Sequence, residues 1–151
     1  MYLRIVAVGK LRDPAVAAIC AEFQKRLGAY HRLEITELRS ASGSDPAKAI
    51  REEGERVLKV ASDSVLWLLD RTGTELASEE LSAKIIELEP RGRALTLAIG
   101  GTFGVTPAVR ARADFIWSLS KLTFLHEWAR MLVLEQLYRA AKIARSEPYH
   151  H

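Results

Sequence analysis

Two stretches of the chain carry residue types that can meet a ligand. The first is Ile99-Gly100-Gly101-Thr102-Phe103-Gly104. Three glycines in five positions let a backbone turn sharply and come close to a bound group. The spacing is not G-x-G-x-x-G, and no G-x-x-x-x-G-K-[ST] occurs, so neither a dinucleotide nor a nucleoside triphosphate fingerprint is present. The second stretch is Trp117-Ser118-Leu119-Ser120-Lys121-Leu122-Thr123-Phe124-Leu125-His126. It sets hydroxyls and backbone amides beside apolar side chains, which suits a ligand with a flat apolar ring and polar edges. A loop satisfying only its own backbone uses the same serines and threonines.

The C-terminal part adds charged and aromatic groups. Glu135 and Arg139 stand at i,i+4, and Arg139 and Lys142 at i,i+3, so all three share a helical face. Taken alone, this is a surface ion pair worth roughly a few tenths of a kcal/mol. His126, His150 and His151 fall in the final 26 residues without metal-ligand spacing, and no metal is expected. The tail Glu147-Pro148-Tyr149-His150-His151 is aromatic and should fray unless docked. No G-x-S-x-G elbow and no glycosidase-like carboxylate pair singles out hydrolysis.

These groups need elements to position them. Residues 3–8, 32–38, 65–69, 95–99 and 115–119 read as strands. Helices are expected from Asp13-Pro14 to a left-handed stop at Gly28, from Asp45-Pro46 to about Val60, from Ser78 to before Pro90, after Thr106-Pro107, and over 125–145. Ser42-Gly43-Ser44 reads as a turn and Asp70-Arg71-Thr72-Gly73 as a loop. Regular alternation of strand and helix implies a parallel α/β sheet with helices on both faces. Ligands of such sheets bind beyond the carboxyl ends of the strands, where both motif stretches fall. The final helix is apolar enough to suggest burial against a second subunit.

Composition sets the outer bounds. The 151 residues suffice for one domain spanning 1–151. Hydrophobic residues at 48% and charged residues at 27% exclude a disordered chain. The single Cys20 precludes an intrachain disulfide, reads as a core residue and fits a cytoplasmic protein. No apolar run is long enough to span a membrane. A net charge of +3 conceals a pattern: residues 1–40 carry +3, 41–90 carry −5 and 91–151 carry +5. The basic third is a weak pointer to an anionic partner.

Read together, the motifs resemble a known family. They are Ala7-Val8-Gly9-Lys10, Leu69-Asp70-Arg71-Thr72-Gly73, Ile99-Gly100-Gly101, the 117–126 stretch, Leu134-Glu135-Gln136-Leu137-Tyr138-Arg139-Ala140 and Pro148-Tyr149-His150. In this order and at this length the chain is similar to the RlmH (YbeA) family of SPOUT methyltransferases. That resemblance implies an α/β knot fold: a mainly parallel sheet of five to six strands, helices on both faces and a C-terminal trefoil knot. It implies methyl transfer from S-adenosylmethionine to N3 of a pseudouridine in helix 69 of large-subunit (23S) ribosomal RNA, with the assembled ribosome as partner and a homodimer as the working form. It places the cofactor against Leu69, Gly100, Leu119, Ser120, Lys121, Leu122, Thr123 and Phe124. It assigns His126, Glu135, Arg139 and Tyr149 to the catalytic and RNA-binding surface, part of each site coming from the other subunit's tail. The chain departs from the family at Leu125, where proline is usual, and at His151, where Arg or Lys is usual. Alternative readings are a SPOUT enzyme acting on another RNA such as tRNA, and a non-catalytic RNA- or ribosome-binding protein.

Overall fold

A computed structural model describes residues 1–40, 45–101 and 104–149, apart from the side chain at position 91. The expected turn at Ser42-Gly43-Ser44, Thr102-Phe103 of the glycine stretch, and His150 and His151 lie outside the described residues. The elements run β1 (Tyr2–Val8), α1 (Pro14–Leu27), β2 (Arg32–Leu38), α2 (Pro46–Val60), β3 (Val65–Glu75), α3 (Ser78–Ile86), a 3-10 turn (Glu89–Arg91), β4 (Leu95–Ile99), α4 (Pro107–Arg112), β5 (Phe115–Ser118) and α5 (His126–Ala144). Asp13 and Asp45 cap α1 and α2, each accepting two backbone N–H bonds, and a proline follows each in the first turn. Each such cap is worth about 1 kcal/mol. Thr106 caps α4 in the same way, accepting from Val109 N at 3.2 Å.

The five described strands form one parallel sheet in the order β2-β1-β4-β3-β5. Side chains alternate across it, as strand geometry requires. Leu3, Ile5, Ala7, Trp67, Leu95, Leu97 and Ile99 enter a core shared with α1, α3 and α5. Val6, Val8, Leu66, Leu68 and Ala98 enter a second core with Val57 of α2 and Val109 of α4. Both faces are covered, which explains why β3 and β4 read as unbroken apolar runs. Cys20 is buried in the first core.

Two local expectations are corrected. Gly28 does not take the left-handed conformation: its φ is −60°, and its N–H continues the right-handed bonding to Gln24 O. A turn that stays right-handed here delivers Ala29 and Tyr30 directly into β2. Asp70-Arg71-Thr72-Gly73 is not the end of the strand. β3 runs on to Glu75, and residues 70–73 rise out of it as a bulge, because Leu69 and Thr74 both pair with Trp117. Gly73 closes that bulge. A Cβ placed there would lie 2.5 Å from Ile116 O, a contact only glycine avoids.

Gly73→Ala is therefore expected to cost about 2 kcal/mol or more of stability by overpacking β3 against β5. A shift in the chemical denaturation midpoint at unchanged slope checks it; an unshifted midpoint would contradict the close approach.

Candidate functional site

Because every strand runs the same way, the segments that leave β3, β4 and β5 meet at one edge of the sheet. They enclose a cleft of about 690 Å³, a size typical of small-molecule sites. One wall is the β3 bulge: Leu69, Asp70, Arg71 and Thr72. The floor is Ile99, Gly100, Gly101 and Gly104. The other wall is Leu119, Ser120, Leu122, Thr123, Phe124 and Leu125, closed by His126 and Ala129 at the start of α5. The glycines of the floor answer to space. A Cβ at Gly100 would lie 2.9 Å from Val105 Cγ1, and one at Gly101 2.9 Å from Glu53 Oε2.

Short polar contacts hold the walls. Gly104 N donates to Gly101 O at 3.1 Å and holds these two glycines together. Ser118 Oγ lies 2.9 Å from Ser120 O and 3.3 Å from Arg71 O, joining the two walls. Leu122 N donates to Ser120 Oγ at 3.1 Å. Asp70 accepts from Thr72 N at 2.8 Å and from Thr72 Oγ1 at 2.6 Å. Arg110 of α4 reaches the same bulge, 3.0 Å from Asp70 Oδ1 and 2.6 Å from Thr72 Oγ1. Burial pushes the Asp70 carboxyl upward, but the Thr72 bonds and the Arg110 charge outweigh it and leave it below the ordinary carboxylate range.

Of the side chains expected at a cofactor, Leu69, Gly100, Leu119, Ser120, Leu122, Thr123 and Phe124 line this cleft, whereas Lys121 is exposed and outside its wall. Apolar side chains at Leu69, Leu122 and Phe124 beside the hydroxyls of Ser120 and Thr123 suit a ligand with a flat apolar ring and polar edges. Among the described residues no three His, Cys, Asp or Glu side chains gather as a metal would require.

The four side chains expected to do chemistry separate into two places. His126 lines the cleft. Glu135, Arg139 and Tyr149 form a second cluster, which begins nine residues further along α5, about 14 Å away. There Arg139 Nη2 lies 2.7 Å from Glu135 Oε1, Tyr149 Oη donates to the same oxygen at 3.2 Å, and the Arg139 guanidinium stands 4.8 Å from the Tyr149 ring centre. The pair is three-quarters buried, so it is more than the surface ion pair its spacing suggests. Burial, then the charge and hydrogen bond of Glu135, raise the Tyr149 hydroxyl above an ordinary phenol, so it keeps its proton at neutral pH and acts as a donor.

As far as Tyr149 the tail is docked rather than frayed. Lys142 Nζ and Tyr30 Oη both donate to Glu147 Oε2, at 2.6 and 2.5 Å, and Tyr149 packs edge-on to Tyr138. Sequence reasoning missed Asp70, Thr72 and Arg110 as cleft groups. The Asp-x-Thr spacing signals the turn, but nothing in the sequence links it to Arg110.

A family model described as "Predicted SPOUT methyltransferase" matches residues 1–150. The chain belongs to the SPOUT methyltransferase family. "Ribosomal RNA large subunit methyltransferase H" of Gloeobacter violaceus is 44% identical, over all of this chain and 99% of its own length. The protein of the same name from Desulfitobacterium hafniense is 42% identical over 99% of both chains. The crystal structure of tRNA (m1G37) methyltransferase from Aquifex aeolicus shares the fold, with a TM-score of 0.54 at 16% identity over 99% of this chain and 74% of that one. No described helix is long and apolar enough to cross a membrane.

Asp70 ties the SPOUT cleft to α4, and its lowered pKa gives the tie a pH signature. The unfolded chain binds the proton more tightly, so this stabilisation is complete above the unfolded carboxylate pKa and is lost as pH falls through the lowered folded one. Asp70→Asn should reduce stability by about 1–2 kcal/mol at pH 7. The difference from the parent should shrink in acid, as read from paired melting curves at pH 7 and pH 3.

Proposed function

We propose that this SPOUT methyltransferase transfers the methyl group of S-adenosylmethionine to N3 of a pseudouridine in helix 69 of 23S ribosomal RNA. It acts as a cytoplasmic homodimer of single-domain chains on the assembled ribosome. The observation that carries this reading is the three-loop cleft, with its glycine floor and its lips of apolar and hydroxyl side chains. Full-length relatives named for methylation of large-subunit ribosomal RNA support the choice of substrate. The meeting of these loops is also what a knotted C-terminal part would produce.

The cofactor, when bound, supplies a methyl group on a positively charged sulfur. The chain supplies the rest. Leu69, Leu122 and Phe124 cover the adenine ring, while backbone groups of Gly100, Leu119, Ser120 and Thr123 meet its polar edges, and Lys121 stands at the rim. Holding the target nitrogen in line with the methyl group, excluding water and helping the nitrogen lose its proton are the remaining tasks. His126 is placed at the cleft for the proton. Tyr149 is a donor, which leaves His126 and Glu135 as the candidate bases.

One chain cannot bring Glu135, Arg139 and Tyr149 to its own cleft, since a rigid helix separates them. A second copy can. Leu122 and Leu125 are about 70% exposed and Trp128 is half exposed beside the cleft mouth, and Leu132 continues this apolar stripe along α5 toward Glu135 and Arg139. Pairing along it buries the stripe and brings one chain's tail cluster to the other's cleft.

Calorimetry with S-adenosylmethionine tests the reading. Saturable binding is expected in the parent, and no heat at millimolar cofactor would end it. Gly100→Leu should abolish cofactor binding while leaving the dimer. Arg139→Ala should lower methylation of ribosomes at least about a hundredfold with cofactor affinity nearly intact; a defect confined to the cofactor would contradict its role. Sedimentation at micromolar concentration should give twice 16.9 kDa, and mass spectrometry of rRNA from a deletion strain should show one unmethylated pseudouridine.

A further inference from the structure

We propose that Lys10, Arg12 and Arg39 form a phosphate-holding rim that seats the RNA strand beside the cleft. The proposal rests on the RNA-substrate reading above and names a surface at the other end of the sheet from the basic tail. All three side chains lie at the carboxyl edge, in the segments that leave β1 and β2, and all three are exposed. None makes an ion pair among the described residues. Other arginines do pair: Arg26 with Glu22, Arg56 with Glu52, Arg112 with Asp114, and Arg4 with Glu34.

The acids near the rim are committed to other work. Asp13 accepts from Ala15 N and Val16 N at the start of α1. Glu127 accepts from the backbone N–H groups of Arg12 and Asp13. Glu37 holds the buried guanidinium of Arg130 at 2.5 Å. The acids of this edge are thus engaged in bonds within the chain, whereas the side chains of Lys10, Arg12 and Arg39 have no acidic partner among the described residues.

The rim is also fixed relative to the chemistry. Gly9 N donates to Leu38 O at 2.9 Å and joins the ends of β1 and β2. A Cβ on Gly9 would lie 3.4 Å from Ser40 Oγ and 3.7 Å from His126 Nε2, so the segment leaving β1 sits between the segment leaving β2 and the first residue of α5. On the far lip of the cleft, Arg71 and Lys121 are likewise exposed and make no ion pair among the described residues. A strand crossing this edge meets cations on both sides of His126. Phosphates are the fitting partner, because such contacts position a backbone without reading its sequence.

The test compares two double variants of the full-length chain with equal charge loss. Lys10→Ala with Arg39→Ala removes two of the three rim cations. Lys25→Ala with Lys59→Ala removes two exposed, unpaired lysines near the ends of α1 and α2, at the opposite edge. Binding to purified large ribosomal subunits is measured across a salt series, and cofactor binding by calorimetry. The rim variant should bind subunits about tenfold more weakly, with a slope of log affinity against log salt shallower by about 1.5, and should bind S-adenosylmethionine like the parent. The opposite-edge variant should match the parent in both. Equal losses in the two variants, or an unchanged salt slope in the first, would overturn the proposal. Subunit binding is read without turnover, so a parent that binds subunits through the rim but takes up no cofactor supports the rim while removing the methyltransferase reading.

Discussion

Arg130 fixes where α5 leaves the sheet, and much of the site inherits its shape from that one side chain. Its guanidinium is almost fully withdrawn from water, which a protein tolerates only when the charge is met. Glu37 at the end of β2 meets it, and Gly9 O accepts from the same group at 2.8 Å, while Nε has no hydrogen-bond partner among the described residues. The helix is thus tied to two neighbouring strands through groups that are costly to separate. Glu127, one turn earlier, ties the same end of the helix to the entry of α1. The wall from Leu119 to His126 hangs from this anchored end, so the cleft takes its shape from the Arg130 tie.

Parallel topology explains why basic residues divide as they do. At the amino edge, Arg4, Arg93 and Arg112 donate to the carbonyls of Val60, Ala61 and Ser64 around the end of α2. Those arginines complete a helix terminus and neutralise its partial charge. Arg110 pairs with Asp70, and Lys142 with Glu147. Many basic side chains of residues 91–151 are therefore engaged within the molecule. Regional charge overstated how much of that third faces a partner and understated the carboxyl edge of β1 and β2.

The parts of the fold visible in the sequence are those that depend on neighbours in sequence. Asp-Pro pairs at 13–14 and 45–46 mark two helix starts because cap and φ restriction act within one turn. The apolar runs at 65–69 and 95–99 mark central strands because burial on both faces leaves no polar position. The Leu119–Phe124 wall was visible through its mixture of residue types and through family resemblance. What escaped depends on distant partners. The bulge at 70–73 exists because Trp117 accepts two partners on β3. The Arg130–Glu37 tie spans 93 residues, and its arginine sits among apolar neighbours with nothing in the sequence to say it is buried. Gly28 escaped for a different reason: glycine permits a left-handed stop but does not compel one.

The stretch of α5 between His126 and Glu135 works as a ruler. A helix advances about 1.5 Å and turns about 100° with each residue. Substitutions along that stretch change what it touches but not the separation or the relative bearing of its two ends. A single inserted or deleted residue would swing the Glu135–Arg139 face by more than a quarter turn relative to His126. The stretch should therefore admit many changes of side chain and almost none of length, which makes its residue count, more than its composition, the quantity that selection has to preserve.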